Sequence, residues 1–281
     1  MIGSPEGGLV PLLALQAESV MASANGRLVG SLTFEEIAQL SERSVLLLPI
    51  GSMEQHGPHL PLDTDAILAQ ALTEAIAGRF GETFDLWQLP SLPLGLSREH
   101  AWASGTLSLS ISGMTALLRE LAREIVRSLP ARNLMIVNGH GGNRGLLDLL
   151  NYEFKADFQL NSCALHMGAL MSPVTDAGLP EIHAGRDETS LMLALAPDRV
   201  RCERSGLGKR LDDAEVRATI LDPGVSWPWS SGDPRIADRG VIGDVAGASA
   251  DHGRAILERL LDVAGATLRR LLANQEIARA R

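Results

Sequence analysis

The chain has 281 residues, 45% of them apolar and 21% charged, a composition that describes a folded globular protein and excludes collagen-like and low-complexity classes. Its formal charge is −9 with Lys and Arg scattered, so the basic stripe that polyanions require is missing, and neither a nucleic acid nor a membrane is expected as partner. The two cysteines, Cys163 and Cys202, have no neighbour at metal-ligand spacing; this excludes a disulfide scaffold or zinc finger and suits a reducing cytoplasm.

Residues 1–30 are rich in Gly, Ala and Ser without a period and read as an extension, partly mobile, before a domain expected over 31–281. Glu6 stands where a signal peptide carries positive charge, and Gln16 and Glu18 end the apolar run early, so no export signal is read. No apolar run approaches the roughly 20 residues that a bilayer needs. Val45–Ile50 (VLLLPI) is short and uniformly apolar, the pattern of a buried strand. Helices are expected over 66–79 and 113–128, with a strand over 85–89 between them. Asn133–Asn138 (NLMIVN) reads as a second buried strand, then a helix over 143–155, a strand over 162–166, and helices over 188–196 and 249–273. Leu221–Ala248, rich in Gly, Pro and Asp with Trp227 and Trp229, is long and irregular, so it is expected to cover a site or make a subunit contact. The alternation predicts the α/β class, a single three-layer α/β/α domain around a mostly parallel sheet. A core of this size makes any metal functional rather than structural.

Ligands of such sheets bind outside the carboxyl ends of the strands, and three polar clusters fall there. The first, GSMEQHGPHLPLDTD after VLLLPI, places Glu54, His56, His59, Asp63 and Asp65 within twelve residues. Carboxylate and imidazole together suit Zn, Mn or Fe, and Glu54 and His56 at i, i+2 point to one side of extended backbone. Asp65 also begins a helix, where the dipole alone favours a carboxylate. The second cluster, NGHGGN (138–143), offers His140 or, in competition, a phosphate cradle, although neither glycine-rich nucleotide spacing is met. The third, HAGRDETS (183–190), carries His183 and Glu188, the latter in a first helical turn where any helix accepts it, with Asp187 as a possible cap.

E-Q-H-G-P-H-L-P-L-x-x-D, N-G-H-G-G-N and H-A-G-x-x-E-T-S in this order resemble the creatininase family of metal-dependent amide hydrolases. The resemblance runs from about Leu32 to the last helix and includes Glu99-His100 before Gly105-Thr106-Leu107-Ser108. It implies two divalent ions held by Glu54, His56, Asp65 and His140, with Asp65 bridging. Creatininase has a glutamate at the position of Gly142, so the resemblance implies that Glu188 supplies the fifth ligand or acts as a base. His183 falls on the histidine near the scissile bond, as proton carrier or substrate contact. No tryptophan stands at 176–182, which departs from creatininase itself. H-A-G-R-x-E-T-S-L-M-L-A-L-x-P-D looks most like the subfamily of the mycofactocin-pathway peptidase, although Ala103-Ser104 replaces its usual Phe-Pro.

The expected activity is therefore hydrolysis of a C–N bond in a small amide or short peptide by water activated between two ions. In the mycofactocin-type reading a C-terminal dipeptide leaves a modified precursor peptide; the alternative is a cyclic-amide or formamide hydrolase. The reading from another class is a non-catalytic phosphate- or ligand-binding α/β protein. The resemblance also implies a homo-oligomer, a hexamer first among the possibilities.

Overall fold

A computed structural model gives the fold of residues 27–171, 181–207, 213–222 and 224–279. Val45–Ile50 (β1) and Asn133–Asn138 (β3) are buried along their whole length, so their backbone polar groups must find partners in a sheet. They find them in each other, parallel and in register from Val45 beside Asn133 to Ile50 beside Asn138. Leu86–Gln88 (β2) flanks β1 and Asn161–His166 (β4) flanks β3, giving the all-parallel order β2-β1-β3-β4. β2 is shorter than its sequence suggests, because Asp85 spends its conformation on a left-handed turn (φ 49°) that ends the preceding helix.

Five longer helices complete the layers: Thr64–Phe84 (α1), Ile111–Ser128 (α2), Arg144–Phe158 (α3), Arg186–Leu195 (α4) and Ala250–Arg279 (α5). Side chains alternate across a strand. Val45, Leu47, Met135 and Val137 therefore enter one core with Leu72 of α1, Leu191 of α4 and Leu260 of α5. Leu46, Leu48, Leu134 and Ile136 enter the other with Leu118 of α2 and Phe154 of α3. α2 shows the cause plainly: Met114, Leu118, Ala122 and Ile125 fall on one buried stripe, and the Ser110 hydroxyl caps its start by accepting the Gly113 N–H at 3.0 Å. The chain is a single α/β domain, as expected.

α1 continues past its expected end at 79 to Phe84. Gly81 lies inside it as a close-approach residue, since a β-carbon there would sit 2.5 Å from the Arg27 side chain. That arginine donates to the Leu86 carbonyl at 3.0 Å, and its own carbonyl accepts the Gln88 N–H at 2.8 Å. Arg27 and Leu28, within the expected extension, thus lie against β2, while residues 1–26 of that extension lie outside the described ones. The stretch 221–248 is irregular, anchored by a small core of Val216, Ile236, Ala237 and Ile242. Among the described residues no helix is long and apolar enough to cross a membrane.

Candidate metal centre

The carboxyl ends of β1 and β3 meet the start of α1, and two glycines permit the contact. A β-carbon at Gly51 would lie 2.4 Å from the Ala66 nitrogen, and one at Gly139 would lie 2.4 Å from the Asp65 carbonyl oxygen. Asp65 is thereby pressed between the two strand ends, 1% exposed, in the second residue of α1. Its Oδ1 lies 3.1 Å from His56 Nε2 and its Oδ2 lies 3.0 Å from His140 Nδ1. On one side Glu54 Oε1 approaches His140 Nδ1 at 3.2 Å; on the other Glu188 Oε2 stands 3.9 Å from His56 Nε2. The helix dipole alone does not account for a carboxylate spread between two histidines.

Glu54, His56, Asp65, His140 and Glu188, the five residues expected to bind metal, are therefore brought together. They form two sets that could each hold an ion, Glu54–Asp65–His140 and His56–Asp65–Glu188, with Asp65 common to both. Both oxygens of Glu54 and Oδ2 of Asp65 are buried without a hydrogen-bond partner. Orphaned carboxylate oxygens at zero exposure are costly unless a cation faces them. The histidines respond in the same sense. Burial works against charge on His56, yet Asp65, Glu188 and Glu54 raise its pKa to about 10. His140 is likewise raised well above its ordinary value, burial being overcome by Glu54 and Asp65. Burial pushes the Asp65 carboxyl up, but His56 and His140 outweigh it and hold the group far below the carboxylate range. Burial, with Asp65 and Glu54 nearby, pushes Glu188 up to about 7. The cluster thus draws in protons as positive charge; a divalent cation meets the same demand.

The other members of the first cluster fall elsewhere. His59 is buried but faces Thr189 Oγ1 at 2.9 Å, and Asp63 pairs with Arg199 at 2.9 Å near the surface. Gly142 is no vacant ligand position, because a β-carbon there would meet the Leu96 carbonyl at 2.4 Å and both Glu99 Oε1 and His140 Nε2 at 2.5 Å.

His183 enters from a loop tied down at several points. Its backbone pairs with Ile242, and Glu181 accepts the Arg186 N–H at 2.7 Å. Ala184 takes a left-handed φ of 53°, a conformation its β-carbon disfavours, and gives its N–H to Glu188 Oε2 at 2.6 Å. His183 Nε2 donates to the Gln55 carbonyl at 2.7 Å, which leaves Nδ1 bare, 3.6 Å from Glu54 Oε1. Burial, with His100 and His56 close by, lowers its pKa well below the ordinary value. With Glu54 and His56 it also forms a third set that could hold an ion.

Three groups escaped the sequence reading as site residues. His100, in a 3-10 turn over Arg98–His100, stacks on His183 with ring centres 4.0 Å apart. Gln55 reaches His100, Ser231 and Gly240 with one side-chain amide. Glu99 faces His140 Nε2 at 3.6 Å. The Glu99-His100 pair was visible in the sequence, but its approach to Glu54 depends on packing between distant segments. Asp65, His100, His140, His183 and Glu188 open on a cavity of about 580 Å³ that Arg98, Trp227 and Trp229 also line. The irregular stretch therefore does cover the site.

A family model described as creatinine amidohydrolase matches residues 30–268. The chain belongs to the creatininase family. It is 34% identical over 240 residues to the mycofactocin precursor peptide peptidase of Mycobacterium tuberculosis, covering 83% of this chain and 87% of that one. It is 32% identical over 198 residues to the creatinine amidohydrolase of Pseudomonas putida, 63% of this chain and 74% of that one. A crystal structure of creatinine amidohydrolase superposes with a TM-score of 0.67 at 27% identity, covering 87% of this chain and 97% of that one. Solved creatininases include a manganese form and a zinc–zinc form. This member of the creatininase family is thus a hydrolase, with carboxylate and histidine groups able to bind metal.

Proposed function

We propose that the protein hydrolyses a C–N amide bond of a peptide at a two-ion centre, as a peptidase of the mycofactocin precursor type that frees a C-terminal dipeptide. One observation carries the two-ion reading: the Asp65 carboxylate presents one oxygen to His56 and the other to His140, with Glu188 and Glu54 completing the two sides. Glu54, Asp65 and His140 would hold one ion, and His56, Asp65 and Glu188 would hold the other. When bound, such a pair acidifies a water and polarises the substrate carbonyl.

The remaining work falls to the protein. Amines leave poorly unless protonated as the C–N bond breaks, so a group beside the centre must carry a proton from water to nitrogen. His183 has the geometry, since its Nε2–H is spent on Gln55 and its bare Nδ1 faces the centre. A neutral ring accepts a proton first and returns it later, the order that amide hydrolysis needs. The cavity favours a peptide over a small ring, because its volume is in the range that takes drug-sized ligands and two tryptophans line it. A cytoplasmic homo-oligomer, a hexamer in the first instance, belongs to the same reading, and light scattering that returns a monomer mass would overturn that part.

The test is turnover with product mass detection. The metal-loaded protein is offered peptides with free C-termini alongside cyclic amides and formamides. Dipeptide release supports the proposal. Hydrolysis of cyclic amides or formamides alone would move the substrate to the alternative within the family, and full activity after exhaustive chelation would refute the centre.

A further inference from the structure

We propose that His100 is a catalytic residue of this site: its Nε2–H donates a hydrogen bond to the scissile carbonyl oxygen of the substrate and holds the charge that develops there. The inference rests on the amide-hydrolase reading above but not on which amide is cleaved.

The argument begins with the other ring nitrogen. His100 Nδ1 lies 3.1 Å from Gln55 Nε2 and 2.7 Å from Ser231 Oγ. The Gln55 amide has its orientation fixed at both ends, because the Gly57 N–H donates to its oxygen at 2.9 Å and its nitrogen donates to the Gly240 carbonyl at 3.1 Å. An amide nitrogen can only donate, so His100 Nδ1 must accept. Ser231 agrees. Trp102 Nε1, also donor-only, reaches Ser231 Oγ at 2.8 Å, which occupies a lone pair of the hydroxyl and frees its proton for His100. Gly240 takes one amide hydrogen and the other goes to His100 Nδ1 or to Ser231 Oγ, which then spends its own proton on His100; either way a donor faces Nδ1, and the ring carries its hydrogen on Nε2.

That hydrogen has no acceptor among the described residues. Glu54 Oε1 is 3.4 Å from Nε2, yet no hydrogen bond joins them and the oxygen remains without a hydrogen-bond partner. The His100 side chain is 2% exposed and lines the cavity that receives substrate. Buried donors find partners. A donor with its ring clamped between His183 at 4.0 Å and the edge of Trp229 at 5.7 Å cannot turn to seek one, so the partner must come to it. The neighbours say where. Nε2 stands beside Glu54, which belongs to the centre, and its stacking partner His183 is the proposed proton carrier, so the donor points at the region where the amide carbonyl must sit.

In the step itself a water oxygen bonds to the carbonyl carbon, and the electron pair of the C=O bond moves onto oxygen. His100 keeps its proton and lengthens no bond; it supplies a fixed dipole to that oxygen. His183 takes the proton from water and delivers it to the amide nitrogen, which leaves with the C–N electron pair as the amine. One amide and one water become one carboxylic acid and one amine.

The experiment uses the metal-loaded full chain and whichever amide it turns over. His100→Ala should lower kcat by about 10²- to 10³-fold, the usual effect of removing one such donor, with metal content unchanged and KM within about threefold. A tetrahedral phosphinate mimic should lose affinity by a matching factor, while the binding of the amine product does not move. His100→Gln, which keeps an N–H donor, should recover part of the loss. Nitrogen-15 shifts of the imidazoles should show hydrogen on Nε2, and Ser231→Ala should weaken that preference while retaining the fold.

Wild-type kcat in His100→Ala overturns the proposal. So does loss of metal in that variant, which would make His100 a ligand, and so does hydrogen found on Nδ1. If the alanine variant fails to fold, the nitrogen-15 shifts of wild type and Ser231→Ala decide. If the wild type cleaves no amide, the functional reading fails, and mimic affinity that is equal in wild type and His100→Ala then overturns this proposal separately.

Discussion

His140 and His166 close two neighbouring parallel strands, and each stands 3.0 Å from an aspartate. The side chain of Asp148, the partner of His166, is 54% exposed, whereas that of Asp65, the partner of His140, is 2% exposed. Water satisfies the first carboxylate, and an exposed pair of this kind contributes little. The second lies beside Glu54, whose buried oxygens are orphaned like its own Oδ2, an arrangement that a cation would relieve. A histidine–aspartate distance therefore says almost nothing about function. Burial and convergence separate the two pairs.

The largest expected effect breaks the comparison directly. His140→Ala should lose both bound metal and turnover, while His166→Ala should keep both; metal analysis beside an activity assay reads the pair. Glu188→Gln should follow His140 in losing metal, and full occupancy in that variant would make Glu188 a base instead of a ligand. Next comes His183→Ala, which should keep its metal and lose turnover by about 10²- to 10⁴-fold, the range of a general acid or base. Loss of metal there would transfer His183 to the ligand set it already adjoins.

Smaller effects sharpen the electrostatics. His56 has a pKa raised from its ordinary 6.5 to about 10 in the fold. It therefore contributes stability that is complete below about pH 6.5 and disappears as pH rises towards 10. Chelated protein should melt at lower temperature across that interval, and metal-loaded protein should not; parallel melting curves would show it. Metal uptake should release protons for the same reason. The smallest effect concerns Arg98, a cavity-wall guanidinium. Arg98→Ala should raise KM about two- to fivefold for peptides ending in a free carboxylate, the worth of an exposed ion pair, and leave C-terminally amidated peptides unchanged.

The buried strands were legible because runs such as VLLLPI and NLMIVN are apolar on both faces, which only a covered parallel sheet explains. The five ligand candidates were legible because Asp65, His140 and Glu188 lie within two residues of a strand end or a helix start, and Glu54 and His56 share the one short loop between β1 and α1. His59 and Asp63 show the limit: same loop and same residue types, but their side chains turn to Thr189 and Arg199. His100 was out of reach for a related reason. Its tautomer is set by Gln55 and Ser231, 45 and 131 residues away in sequence, and no local pattern encodes such a meeting. Gly142 was legible as a departure, and only the crowding by Leu96, Glu99 and His140 explains it.

The aromatic wall of Trp227 and Trp229 belongs to a stretch with its own small core around Ile236 and Ile242, while Val241 and Val245 of the same stretch tie it to one of the two cores that hold the sheet. Substitutions in that wall can reshape what the cavity admits while the strand ends stay where they are. The same segment also holds Ser231 and Gly240 against Gln55 and His100 and pairs Ile242 with His183, so a change that refits the wall to a new substrate leaves the chemistry intact only where it spares those contacts.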